Sequence, residues 1–210
     1  IALNLQGQDL IWWSPLFRLY VLITGDSGKL QAGTYQLSPS MSIQTMAGKF
    51  SRGDVVAVKI TIPEGFTAEQ IHERLKNVTG SFLVTLEGHE GYLFPDTYEI
   101  PYGLELEKII EIMTDNFAQK TAGLAITPEI VIMASLLEKE VKTKDEKELA
   151  AGILWKRLKI GMPLQVDAKM WTYENLGFPS KPISNPGLES ILAAIYPKES
   201  QYWYYLSPTD

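Results

Sequence analysis

The stretch TPEIVIMASLLEKEV, Thr127 to Val141, decides the fold. From Ile130 to Leu137 every residue except Ser135 is apolar or small. A helix that is greasy around most of its circumference belongs inside a core. Glu138 arrives where burial gives way to solvent. A carboxyl at such an edge has its charged form disfavoured and can carry a proton at neutral pH, which is what a general acid requires. At about 100° per residue, Ile130, Ala134, Leu137 and Val141 form one stripe, with Glu138 on one flank and Glu140 on the other, while Lys139 points away. Helix geometry alone does not rank the two acids. It is also compatible with an ordinary charged helix end made by Glu138, Lys139, Glu140 and Lys142.

Outward from this helix, 210 residues with 45% hydrophobic content suffice for one large domain or two small ones. A net charge of −6, without a basic run or basic-aromatic interleaving, argues against nucleic acid as a partner. There is no cysteine, so disulfides and thiolate chemistry are excluded. The chain begins at Ile1 rather than Met, as a processed or trimmed chain does, so a signal or anchor upstream would not show in these residues. The apolar stretch Leu10 to Thr24 is broken by Pro15 and Arg18 and is too short to span a bilayer, so it reads as core, or as packing next to a membrane.

Two strand-helix units are expected near the N-terminus. Ala32 to Ser38 reads as a strand, followed by a helix capped by Ser42, with Ile43, Met46 and Phe50 on its apolar side and a stop at Gly53. Val56, Val58, Ile60 and Ile62 alternate as a half-buried strand does, and Thr67 with Gln70 forms a capping box for a helix carrying Ile71 and Leu75. Tyr35, Leu37, Ser42, Met46 and Phe50 align with Ile60, Ile62, Thr67, Ile71 and Leu75 at a constant offset of 25, a weak internal repeat. After a turn-rich stretch from Thr79 to Gly91, Pro95 limits Tyr92 to Tyr98 to an edge or an ordered loop.

Helices are then expected over Leu104 to Lys120, over the Glu138 segment and over Lys144 to Lys159. Asn185 reads as the cap of a last helix, with Pro186 at its first position. Tyr202 to Leu206 reads as a terminal strand or an aromatic wall. The fold class is therefore α+β, dividing near residue 80: a small strand-helix module, then a mostly helical body over 81–210 that holds the acids.

The chain has no phosphate-binding glycine loop, GxSxG elbow or HExxH helix. His72 and His89 have no partner at metal spacing, so no metal or other cofactor is expected. Acid-base chemistry by carboxylates remains. Cleaving a glycosidic bond needs a proton for the leaving oxygen and stabilisation of the charge left on the sugar. Glu140, Asp96 and Asp167 are candidates for a second carboxylate, although turn or cap roles suit the two aspartates as well.

Gln31-Ala32-Gly33-Thr34-Tyr35, Ile62-Pro63-Glu64-Gly65, Glu90 to Tyr98 (EGYLFPDTY), Ala134 to Glu140 (ASLLEKE), Arg157 to Asp167 (RLKIGMPLQVD) and Ile183 to Gly187 (ISNPG) occur in this order. In that arrangement the chain resembles the endolytic murein transglycosylases, the YceG-like or MltG-type proteins of bacterial cell-wall synthesis. The resemblance implies a LysM-like module over about 30–78 and a catalytic domain over 81–210. It also implies a body facing the extracytoplasmic space, held by a single N-terminal membrane anchor. The implied substrate is the peptidoglycan strand, whose MurNAc-β-1,4-GlcNAc bond is cut without water to give 1,6-anhydro ends, with peptidoglycan synthases as partners. By the same resemblance the catalytic acid falls on Glu138, with Glu140 the second candidate. Gln165, Asp167, Ser184, Asn185, Tyr98 and Glu140 become substrate-binding residues. The connections between Ser81 and Glu87 and between Asp167 and Thr172 are shorter than the family pattern. A hydrolytic muramidase and a non-catalytic glycan-binding scaffold are the alternatives.

Overall fold

The structure is a computed structural model that describes residues 1–79, 86 and 88–206. Its elements are α1 (Ala2–Gly7), α2 (Ser14–Ile23), α3 (Ile43–Arg52), β1 (Ala57–Thr61), α4 (Ala68–Thr79), β2 (Thr97–Pro101), α5 (Leu106–Lys120), α6 (Pro128–Glu140), α7 (Lys144–Lys159), α8 (Trp171–Glu174) and α9 (Leu188–Ile195). β1 and β2 pair as a two-stranded sheet. Ile62 N–H donates to Asp96 and Tyr102 N–H to Val56, so the strands run antiparallel. A mostly helical chain with one small sheet is the expected α+β class.

Local signals explain most of the boundaries. Ser42 accepts the Thr45 N–H at the start of α3, and Gly53 ends that helix in the left-handed conformation at φ 67°. Thr67 and Gln70 exchange the two bonds of a capping box at 3.2 and 2.9 Å, and Glu90 adds an acceptor for the Ala68 N–H at 3.1 Å. α6 opens on the Thr127 cap with Pro128 in its first turn, and a Thr143–Glu146 capping box starts α7.

One expectation fails: residues 32–38 form no strand. The only described backbone bond from this segment to its neighbour is Val56 N–H to Thr34 at 2.8 Å, so no ladder is built and the proposed repeat shares its helices but not its strands. Of the two readings of residues 202–206, the strand is not formed and the aromatic wall remains. The turn-rich stretch after Thr79 and the Ser81–Glu87 connection lie, apart from Leu86 and the residues from Gly88 onward, outside the described residues.

The chain forms two compact units. One is built on Ile1–Lys59 and Glu99–Glu105, the other on Ile60–Asn77 and residues 88–98 and 106–206. Residues 60–77, which the sequence groups with the N-terminal module, thus belong to the larger unit. In the smaller unit Phe17, Val21, Met46, Ala47 and Phe50 form the core, with Phe17 and Tyr35 edge-on to Phe50 at 6.1 and 4.5 Å. Here α2 buries Phe17 and Val21 while Leu16, Leu19, Leu22 and Ile23 stay exposed. No described helix is long and apolar enough to cross a membrane.

In the larger unit α6 is the central rod. Val131, Met133, Ala134, Leu136 and Leu137 are fully buried, packed with Ala150, Ala151 and Leu154 of α7 and Ile191, Ala193 and Ala194 of α9. Burying each such leucine stabilises the fold by roughly 1.5–3 kcal/mol. That burial fixes the rotation of α6, and the rotation sets where its two terminal acids point.

Candidate active site

Glu138 and Glu140 lie two residues apart, about 200° around the helix, and the packing of α6 sends them to different surroundings. Glu140 reaches a cavity of about 600 Å³ whose walls include Arg157, Gln165, Asp167, Tyr173 and Tyr205. This volume is typical of small-ligand clefts. The Ala168 N–H donates to Glu140 Oε1 at 2.9 Å, and the Tyr205 hydroxyl donates to Oε2 at 3.4 Å. Burial pushes the Glu140 carboxyl above the usual carboxylate range; the Ala168 N–H pulls it back, and the negative charge of Asp167 pushes it up again. Burial likewise raises Tyr205, which keeps its proton and remains a donor toward Glu140.

Arg157 builds both walls of this cavity. Its Nη1 donates to the Leu164 carbonyl at 2.6 Å and its Nε to the Trp203 carbonyl at 2.8 Å, so one buried guanidinium ties the segment before Gln165 to the segment before Tyr205. Gln165 adopts φ 52°, a left-handed conformation costing of order 1 kcal/mol in a residue with a β-carbon. The Tyr173 hydroxyl donates to Asp167 Oδ1.

Glu138 has a different environment. Its Oε1 accepts from Lys147 Nζ at 3.1 Å, and its Oε2 accepts from the Gly187 N–H at 2.9 Å and the Ser190 hydroxyl at 2.7 Å. The Lys147 and Glu138 side chains are only 3% and 8% exposed. Gly187 is the N-cap residue of α9 and no side chain of its own caps that helix, so Glu138 satisfies an N-terminal donor and complements the positive end of the helix dipole. Beside it stands Glu64, whose carboxyl is pushed upward by burial and then by the Glu138 charge. A β-carbon on Gly187 would lie 1.8 Å from Glu64 Oε1, so glycine makes room for this second acid.

The sequence pattern of the YceG-like family matches residues 1–171. The chain belongs to that family. An endolytic murein transglycosylase of Bacillus subtilis (strain 168) is 27% identical, over all of this chain and 76% of that protein. One of Streptococcus pneumoniae serotype 2 (strain D39 / NCTC 7466) is 24% identical, over 99% of this chain and 52% of its own length. The chain therefore spans about three quarters of one relative and about half of the other. The first alignment runs over 275 positions against a 210-residue chain, so that relative carries segments with no counterpart here. A crystal structure of a YceG-like protein from Listeria monocytogenes superimposes with a TM-score of 0.59 at 26% identity, covering 99% of this chain and 88% of that one.

Of the residues that the sequence marks for the site of this YceG-like chain, Glu140, Gln165 and Asp167 come together at the cavity. The others go elsewhere. Asn185 does not cap α9; its buried Oδ1 accepts the Gly91 and Leu93 N–H groups, each at 2.9 Å, and its Nδ2 donates to the Phe66 carbonyl and to Glu90. Ser184 is fully buried and donates to the Ser135 carbonyl at 3.2 Å. Tyr98 is buried rather than walling a groove: its hydroxyl donates to the Phe94 carbonyl at 2.5 Å, and burial lifts it to about 12. Asp96 accepts from Thr97, Asn116 and Lys120, which hold it below the usual carboxylate range.

These side chains thus bond segments of the body to one another. Asn185→Ala is expected to cost about 2–4 kcal/mol, because two buried N–H groups lose their only described acceptor. Chemical denaturation measures this, and a loss below about 0.5 kcal/mol contradicts the assignment. The sequence reading misses Lys147, Ser190 and Glu64 around Glu138, and Tyr173 and Tyr205 beside Glu140. Only the aromatic run at 202–206 signalled a wall in advance.

Proposed function

We propose that this chain is an endolytic peptidoglycan lytic transglycosylase in which Glu140, rather than Glu138, is the acid and then the base. One observation carries the reading: a desolvated carboxyl at the end of α6 opens onto a cavity shared with Gln165, Asp167 and Tyr205. The names of the relatives supply the substrate class. Glu138 is less suited to this work, since it is paired with the buried Lys147 ammonium and tied to the start of α9, whereas the donors on Glu140 are a neutral N–H and a neutral hydroxyl at the cavity wall.

The Glu140 proton passes to the oxygen bridging N-acetylmuramic acid and N-acetylglucosamine, and the bond from that oxygen to C1 breaks. The substrate's own acetamido group stabilises the positive charge left on C1. The muramoyl 6-hydroxyl oxygen then bonds to C1, and its proton returns to the Glu140 carboxylate. No water is consumed, and the product carries a 1,6-anhydro end. Gln165 and Asp167 bind the glycan from the facing wall, and Tyr205 orients the Glu140 carboxyl.

The proposal extends to the remaining parts implied by the resemblance. These are a LysM-like module near residues 30–78, a membrane anchor upstream of residue 1, an extracytoplasmic body and peptidoglycan synthases as partners. The capped helix α3 and the strand β1 support that module, whereas the missing strand at 32–38 and the grouping of 60–77 with the larger unit count against it.

Mass spectrometry of strands incubated with the protein tests the reaction. Muramoyl ends one water lighter than reducing ends are expected. Reducing ends would instead make the protein a muramidase using Asp167 to activate water, and no cleavage would leave a binding scaffold.

A further inference from the structure

A second cavity, of about 540 Å³, adjoins the Glu140 cleft and shares Lys139 and Ala168 with it. Three lysines from three segments line it: Lys139 on α6, Lys169 in the turn before α8, and Lys181 between Pro179 and Pro182. Among the described residues none of the three forms an ion pair within 4.0 Å. Three ammonium groups set against one carboxylate, that of Glu90, which feels Lys181 and Lys139, leave an excess of positive charge that a bound anion relieves.

Glu90 is the acid on this wall, and it is directed inward. Both of its oxygens accept from the Ala68 N–H at 3.1 Å, and Oε1 also accepts from Asn185 at 2.8 Å. The walls are firm. The Thr172 hydroxyl donates to the Lys169 carbonyl at 2.8 Å, and Pro182 packs so closely on Gly91 that a β-carbon there would lie 2.6 Å from its Cγ.

From this geometry we infer that the lysine-lined cavity seats the carboxylates of the peptide branch borne by the muramic acid under attack. The inference rests on the transglycosylase reading above. Muramic acid carries its peptide on the same sugar ring whose C1 is cleaved, so a ring held against Glu140 projects that branch into neighbouring space. The neighbouring space on the α6 side is the cavity reached past Lys139 and Ala168. Lys169 and Lys181 then act as specificity residues, favouring strands whose stems end in free carboxylates.

The test compares wild type with the Lys169→Gln/Lys181→Gln double variant on three substrates: strands with intact stems, the same strands with stem carboxyls converted to methylamides, and strands stripped of stems by an amidase. On intact strands the variant is expected to raise KM about threefold to tenfold with kcat unchanged, an effect that added salt erases. On the other two substrates the two proteins are expected to behave alike, which also shows that the variant is folded. Equal KM values on intact strands would overturn the inference. So would a difference that persists on stripped strands, which would place the lactyl carboxylate in the cavity instead. If wild type cleaves none of the three, the transglycosylase reading itself fails; if it cleaves all three without discrimination, only this inference does.

Discussion

Glu140→Gln is expected to release anhydro ends about 10²–10⁴-fold more slowly than wild type while remaining folded and still binding strands. The amide keeps the size of the carboxyl and can still accept from the Ala168 N–H, but it has no acidic proton to give to a glycosidic oxygen. The pH profile gives an independent reading. Free enzyme must hold its proton for the first step, and the protonated fraction falls as pH rises through the Glu140 pKa. Because burial raises that pKa, the declining limb of kcat/KM is expected to lie above the usual carboxylate range. Asp167→Asn removes a charge that pushes the same pKa upward, so the limb should move to lower pH. A limb unmoved by this change, or a Glu140→Gln protein as active as wild type, would transfer the proton to another group.

How much of this was legible in the chain can be judged residue by residue. α6 was readable because an apolar run with a cap at Thr127 leaves few alternatives to a buried helix. The starts of α3 and α4 were readable because their caps lie within four residues of the helices they begin. The signals that failed were local patterns whose decisive partners lie far along the chain. Asn185-Pro186 looks like a helix start, yet the Asn185 side chain is captured by Gly91 and Leu93, more than 90 residues earlier. Residues 32–38 have strand composition but no neighbour that completes a ladder.

Glu138 and Glu140 are told apart by contacts that the helix itself does not carry. Periodicity places the two acids on opposite flanks, but which flank meets a cavity depends on α9 and on the segments held by Arg157. Neither is visible from the helix itself.

Glu138→Ala is expected to lower stability by about 3–5 kcal/mol, because removing one member of a buried ion pair leaves the other charge uncompensated. Lys147 would keep its ammonium at 3% exposure, with the Gly187 N–H and the Ser190 hydroxyl also losing their acceptor. Glu64 can recover part of this. It already feels the Lys147 charge, and removing Glu138 removes a like charge that raises its pKa, so it ionises more readily beside the lysine. Replacing both partners, as Glu138→Met with Lys147→Met, is expected to restore the part of the loss due to the uncompensated charge, while the Gly187 N–H and the Ser190 hydroxyl stay without their acceptor. Urea midpoints of the two single variants and the double variant measure the coupling, which should be at least about 1 kcal/mol for groups in direct contact. The activity of the conservative Glu138→Gln protein, counted per folded molecule, then separates the two acids. If it falls as far as that of Glu140→Gln, Glu138 carries the proton. If folded Glu138→Gln protein still cuts strands while its midpoint drops, the Glu138 cluster acts by holding α9 against the end of α6, and the chemistry belongs to the carboxyl two residues on.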